Sequence, residues 1–385
     1  MSAAAMFRAL SDEQGFLVEA ARDALGRVAT LEAARAALDG GPAPDLWPLA
    51  CEAGWAGLLV AEDAGGAALS AAEATLVLEE CGRRLADARL LGHLPATALL
   101  GAAPDAGGGL LGQLADGTRR AALVDPAVGG RGGRLTLRRD GAVARATGHV
   151  PGVLDAPGAD VLVLVGEDEE GLPAAGVVAA EAGGVALDAV AGYDATRAVG
   201  DVALDDLEVR VLDLAPARAR DGADLQRLLL AAESVGAASA ALELARDYAV
   251  DRVAFGRPIG SYQAIKHKLV EMLRRTEGAR SVVIAAARQW DEERERFALT
   301  ANAARVTAAD ALGFCALESI FVHGGVGATW EHDASLTYRR AEHARRLAGG
   351  TTAAADAVAQ ALFALVPAAD RTTTPREVSG QHVRS

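Results

Sequence analysis

The stretch Arg252-Val253-Ala254-Phe255-Gly256-Arg257-Pro258-Ile259-Gly260-Ser261-Tyr262-Gln263 lies between two long segments of helical periodicity. Upstream, Leu225, Leu228, Leu229, Ala232, Val235 and Leu242 recur at helical spacing and mark one long helix to about Asp251. Downstream the pattern resumes from about Tyr262 to Asp291, then from about Phe297 to Phe321, and after a break at Gly324–Gly327 continues to about Leu365. Gly256, Pro258 and Gly260 end one helix and turn the chain into the next. Read plainly, the stretch is a helix-turn-helix corner. Read for chemistry, it sets out an anion clamp (Arg252), a flat apolar partner (Phe255) and an amide reader (Gln263), which a nucleotide cofactor needs.

Moving toward the N-terminus, the period falls to two between about 118 and 213. Ala121 to Val124 is a short apolar run, and Leu135, Leu137, Asp140-Gly141 and Val143 read as a hairpin. Val161 to Val165, Val177-Val178, Val185 to Leu187, Val202 to Leu204 and Val209 to Leu212 read as further short strands, with no room for helical crossovers. From about 11 to 116 the helical period returns, with Leu17, Ala20, Ala21, Ala24 and Val28 on one face. Gly40-Gly41-Pro42 and Gly65-Gly66 break these helices, and Gly107 to Gly109 reads as a loop. The chain is therefore expected to be α+β: an N-terminal helical domain (1–117), a middle β-barrel-like or β-sandwich domain (118–213), a C-terminal four-helix bundle (214–366) and a polar, disordered tail (367–385).

A net charge of −14 over 385 residues argues against nucleic acid or a membrane surface as partner. No apolar run is long enough for a span. Cys51, Cys81 and Cys315 are too scattered for a disulfide framework or zinc site and fit a reducing cytoplasm. The seven histidines show no metal spacing, and His332, between Glu331 and Asp333, reads as a capping residue. Lys266 and Lys268 are the only lysines, so the positive charge is nearly all arginine. That usage fits a compositional bias, although arginine forks also suit phosphate and carboxylate oxygens. The cluster Gly324-Gly325-Val326-Gly327 lacks the spacing of a dinucleotide fingerprint. It reads as a helix C-terminus needing positive φ, or as exposed backbone donors that can hold a phosphate.

Two motifs together resemble the acyl-CoA dehydrogenase family. The corner matches R-x-x-F-G-x-P-I-x-x-x-Q, and His323-Gly324-Gly325-Val326-Gly327-Ala328-Thr329-Trp330-Glu331-His332-Asp333, followed by Arg339-Arg340-Ala341, matches the family's second signature at the fitting distance. The helix, strand, helix order agrees over essentially the whole chain. The resemblance implies an FAD flavoprotein that takes the α-proton and β-hydride from an acyl-CoA thioester and passes electrons to an electron-transfer flavoprotein or similar acceptor. It implies that Arg252 contacts the FAD pyrophosphate of an adjacent subunit, that Phe255 and Gln263 contact its adenine half, and that Gly324 and Gly325 let the backbone approach the cofactor.

The resemblance also exposes departures. The family's catalytic Glu stands at one of two positions, which here hold Gly349 and Gln226, neither a base. Asp224 and Glu233 are the substitutes in reach, although Glu233 lies about two helical turns from Gln226. The flavin-flanking Trp-x-Thr has no counterpart in Gly152 to Pro157, and the strand-loop before it is eroded to Val124-Asp125-Pro126-Ala127-Val128-Gly129-Gly130. Of 15 aromatic residues, ten fall between Tyr248 and Phe363 and only Tyr193 lies in the β region. Some relatives are heteromers in which one chain supplies the base. The chain is accordingly expected to be the base-lacking subunit of such a pair; the alternatives are a homomeric enzyme with a relocated base and a non-redox scaffold on the same fold. Ala231, Ala232, Gly236, Ala237 and Ala238 suggest a roomy pocket beside their helix.

Overall fold

The computed structural model describes residues 10–42, 44–103 and 109–365. The expected loop at Gly107-Gly108 and the expected tail lie outside the described residues. Six helices come first: α1 (Asp12–Gly26), α2 (Thr30–Leu38), α3 (Trp47–Glu52), α4 (Ala71–Arg83), α5 (Leu90–Ala102) and α6 (Gly109–Ala115). Capping boxes start two of them: Ser11 with Gln14 on α1, and Ser70 with Glu73 on α4.

Seven strands follow: β1 (Ala121–Val124), β2 (Arg134–Asp140), β3 (Val143–Leu154), β4 (Val161–Glu167), β5 (Pro173–Ala179), β6 (Val185–Ala189) and β7 (Val199–Leu212). Strands β4, β2, β3, β7 and β5 pair in that order and β5 returns to β4, so the sheet closes on itself. Leu135 and Leu137 point into this barrel with Val150, Leu162, Leu164 and Val202, while Arg134, Thr136 and Arg138 alternate outward. The runs at Val202 and Val209, read as two strands, are one strand of 14 residues. A register shift opposite Ala146 and Gly148 and a positive φ of 44° at Asp206 bend it between the two runs.

The C-terminal domain is built on α7 (Pro216–Asp251), α8 (Gln263–Glu292) and α9 (Arg294–His323). The expected fourth helix is two, α10 (Asp333–Ala344) and α11 (Gly350–Leu365). They are separated by a turn in which Ala348, Gly349 and Gly350 all have positive φ. Helices α7 and α9 are long and apolar enough to cross a membrane, but much of each packs inside the protein, and α7 carries buried Asp224, Arg227 and Glu233. Gly82 of α4 and Gly236 of α7 sit where these helices cross: a Cβ on Gly82 would overlap the Glu233 carbonyl, and one on Gly236 the Glu79 carbonyl.

Candidate functional site

The corner after α7 is a miniature hairpin. Val253–Ala254 pairs with Arg257–Pro258, and Phe255 and Gly256 form the turn with φ of 52° and 79°. Gly256 adopts that geometry freely, whereas Phe255 is held in the left-handed region at a cost of about 1–2 kcal/mol. The Tyr262 hydroxyl donates to the Ala254 carbonyl (3.0 Å) and the Ile259 amide to the Arg252 carbonyl (2.8 Å), fixing the hairpin to the start of α8. The Phe255 ring is 96% exposed, and Arg252 and Gln263 are also exposed.

The glycine motif lies at the same end of the bundle. The His323 ring, the last of α9, stacks on Tyr248 one turn before Arg252, with centroids 4.4 Å apart. The His332 ring packs against it at 4.3 Å, and His332 Nδ1 accepts from the Ala334 amide as the cap of α10. Between them Gly324 turns the chain with φ of 67°, and a Cβ on Gly324 or Gly325 would meet no atom within 4 Å. Arg252, Phe255, Gln263, Gly324 and Gly325 thus gather on one outward surface: a cation with no hydrogen-bond or ion-pair partner among the described residues, a bare ring, an amide and open backbone. This donor set fits the phosphate-bearing, adenine end of FAD. The β-domain loops expected to flank the flavin ring pack on each other instead: the Gly130 amide donates to the Pro151 carbonyl (2.5 Å), and a Cβ on Gly129 would meet Val150 and the Pro151 carbonyl.

Near the other end of α7, a cavity of about 750 Å³ opens between the barrel and the bundle. Buried Asp125, Asp224 and Arg227 line its inner wall. Arg227 Nη1 donates to Asp224 (3.0 Å) and Nη2 to the Ala127 carbonyl (2.6 Å), while Asn302 Nδ2 donates to Asp224 (2.9 Å). Burial raises the Asp224 carboxyl above its ordinary value despite Arg227, and pushes Asp125 up to about 6.

Neither family base position is merely vacant. Gln226 is buried and its Nε2 donates to the Leu91 carbonyl (2.9 Å), tethering α7 to α5. Gly349 has φ of 79°, its amide donates to the Val128 carbonyl (3.1 Å), and a Cβ would stand 2.5 Å from the Ala127 carbonyl. A glutamate there requires the two loops to part.

Glu233 is not available as a base. It is 2% exposed, accepts from Arg340 Nη1 (3.1 Å) and from Arg197 Nη2, and belongs to a buried network. Arg340 also binds Asp194 and the Leu85 carbonyl, and Arg197 binds Asp87, so the network ties the segment between α4 and α5, α7, α10 and the chain before β7 together. Burial opposes ionisation of Asp194, yet Arg340 and Arg197 beside it hold its carboxyl down to about 2. The roomy pocket expected beside Ala231 to Ala238 is filled, because α4 lies directly on that face. The sequence shows Asp125 only as part of the eroded strand-loop and singles out neither Arg227 nor the fully buried Arg305, whose Nη2 donates to the carbonyls of Ala344 and Leu347 (3.0 Å to the latter) and closes the end of α10.

A helical cap, a closed barrel and a helical bundle with a phosphate-type corner at one end and a polar cavity near the other define the frame of a nucleotide-cofactor oxidoreductase. The family profile for the acyl-CoA dehydrogenase N-terminal domain matches residues 11–103, and that for the C-terminal domain matches 217–363. Acyl-CoA dehydrogenase IpdE2 of Mycobacterium tuberculosis is 34% identical over 87% of this chain and 93% of its own length. Among solved structures, the ChsE4-ChsE5 complex from Mycobacterium tuberculosis superposes with a TM-score of 0.84 at 26% identity, covering 94% of this chain and 99% of the other. A variant of the Tcur3481-Tcur3483 steroid ACAD superposes at 0.82 with 25% identity, covering 92% and 98%. The chain belongs to the acyl-CoA dehydrogenase family, FAD-dependent oxidoreductases.

Proposed function

We propose that the chain is the base-lacking subunit of a heteromeric acyl-CoA dehydrogenase, acting on an acyl-CoA thioester together with a second chain of the same family that contributes the glutamate. The observation that carries this reading is the pairing of an outward-facing clamp at Arg252, Phe255 and Gln263 with a base position closed against its own β domain at Gly349. Two solved relatives whose names pair two chains support it.

When bound, FAD supplies the acceptor for the substrate's hydride. This chain's part is to hold and orient. Arg252 offers a fork to phosphate oxygens, Gln263 an amide to a base edge, and Phe255 a flat surface. Arg227 fixes Asp224 and the Ala127 carbonyl at the inner wall of the cavity and so shapes the place of the reacting end. The free cysteines, with Cys81 and Cys315 buried, suit a reducing cytoplasm, and an electron-transfer flavoprotein or similar carrier is the acceptor the reading requires.

The test is co-expression with a paralogue carrying Glu at either base position. The purified pair is expected to be yellow and to oxidise acyl-CoA, and each chain alone to be inactive. A colourless, inactive pair overturns the reading. One observation favours a second reading: Asp224 lines the cavity and burial raises its carboxyl, as a relocated base in a homomer needs. Asp224→Asn separates the two, since abolished turnover in a chain active alone establishes the second reading.

A further inference from the structure

Resting on the reading of the Arg252 corner as the FAD clamp, we infer that His332 is a proton-operated latch of that corner: neutral, it holds the glycine turn in place, and protonated, it lets the turn loosen and the flavin leave. The two halves of the corner meet on three rings. Tyr248 lies one turn before Arg252, and its carbonyl accepts from the Arg252 amide (2.8 Å). His323 directly precedes Gly324, and Gly327 rests on it so closely that a Cβ there would stand 2.7 Å from His323 Cβ. The His323 ring packs against Tyr248 at 4.4 Å and against His332 at 4.3 Å. The end of α7, the glycine turn and the start of α10 therefore share one small cluster of rings.

Hydrogen bonding fixes which nitrogen of each imidazole carries the hydrogen. His323 Nδ1 lies 2.7 Å from the Ser319 carbonyl, which only accepts, so Nδ1 is the protonated nitrogen. His332 Nδ1 lies 3.2 Å from the Ala334 amide, which only donates, so Nδ1 is bare and the neutral ring holds its hydrogen on Nε2. That bare nitrogen is the side-chain cap of α10. A second proton on His332 goes to Nδ1, where it meets the Ala334 N–H donor to donor, and the cap is lost. The groups facing His332 are His323 of α9 and Arg35 of α2, which is bound to Asp333 at the start of α10, with Tyr248 of α7 against His323. Among the described residues no carboxylate pairs with either imidazole. Burial first, then His323 and Arg35, hold the proton affinity of His332 below the ordinary histidine value. The unfolded chain then takes the proton before the folded one. The latch is at full strength above about pH 6.5, the unfolded value, and weakens as pH falls below it.

The chain, paired with its paralogue, is loaded with FAD, and flavin release on dilution is followed by fluorescence at pH 7.5 and pH 5.5. Amide protection at the start of α10 is measured under the same conditions. Loss of one N-cap shifts a local equilibrium about fivefold. Release from the native pair is therefore expected to quicken about fivefold at the lower pH, with a matching loss of protection in α10. His332→Asn keeps an acceptor at the cap and takes no proton in this range, so it is expected to release flavin at the native pH 7.5 rate under both conditions. His332→Ala has no cap and is expected to release at the faster rate under both. Asp125, whose carboxyl titrates nearby, is common to all three chains and produces no difference among them. A native rate that does not change with pH, or a His332→Asn pair that follows pH as the native pair does, overturns the latch. A pair that holds no flavin at either pH overturns the reading of the corner instead, and the protection of α10, which needs no flavin, then still decides whether the cap is lost with the proton.

Discussion

At Gln226 a side chain shaped like the family's glutamate does different work. Its amide hydrogen donates to the Leu91 carbonyl, so Gln226→Glu sets a carboxylate against a carbonyl in a buried place. We expect a loss of about 1–3 kcal/mol by chemical denaturation and no gain of turnover. Recovered dehydrogenation by that variant alone would show the position to be open. Asp125 gives a pH prediction. Burial raises its folded pKa to about 6, above the unfolded value near 4, against the opposing pull of Arg227 and with Asp224 adding to the rise. Between those values the native chain holds a proton that the unfolded chain has lost, so this carboxyl makes stability fall as pH rises through the window. Asp125→Asn keeps an acceptor for the Ala127 amide and removes the charge. It is expected to flatten that part of the stability profile and to stabilise at pH 8 by about 1–3 kcal/mol; a parallel profile counts against the assignment.

Among the elements, the corner hairpin and the α4–α7 crossing differ in what they tolerate. Phe255 bears a left-handed backbone and an exposed ring, so its fold contribution is small or negative. Phe255→Gly is expected to leave the melting temperature of the chain unchanged or slightly higher while lowering FAD retention by the pair, measured as bound flavin per chain. Gly236→Val at the crossing drives a branched side chain into the Glu79 carbonyl and is expected to cost about 3 kcal/mol or more, read by urea unfolding. Sequence reasoning reached these elements unevenly. The hairpin at Asp140-Gly141 and the helix break at Gly324 were legible because one residue type supplies the required positive φ. The union of Val202 to Leu204 with Val209 to Leu212 was not, because a bend inside a strand looks like a turn between two. Gly236 at the crossing read as a sign of space, when it is a sign of backbone contact.

Over the whole molecule, the order of domains was legible, and closure of the β domain only as one of two options. The switch from period 3.6 to period 2 and back carried the architecture. That β5 returns to β4, that Gly349 abuts Ala127, and that Glu233 is gripped by Arg340 and Arg197 all join residues far apart in the chain, beyond any local pattern. The Arg340 network spans the helical cap, the chain entering β7 and the bundle. Removing one partner leaves buried charges without compensation, so Arg340→Met is expected to cost about 3–5 kcal/mol and to loosen the three domains together, seen as faster amide exchange in α4 and around Asp194.

The seal at Gly349 also has an evolutionary meaning. A left-handed turn pressed on the Ala127 carbonyl and stapled by Arg227 admits no side chain, so one codon change cannot reinstall the glutamate. A glutamate there requires the loop at 345–350, the loop at 125–130 and Arg227 to move together. On the proposed reading, dependence on a partner is then held in place by backbone geometry rather than by the identity of any single catalytic residue.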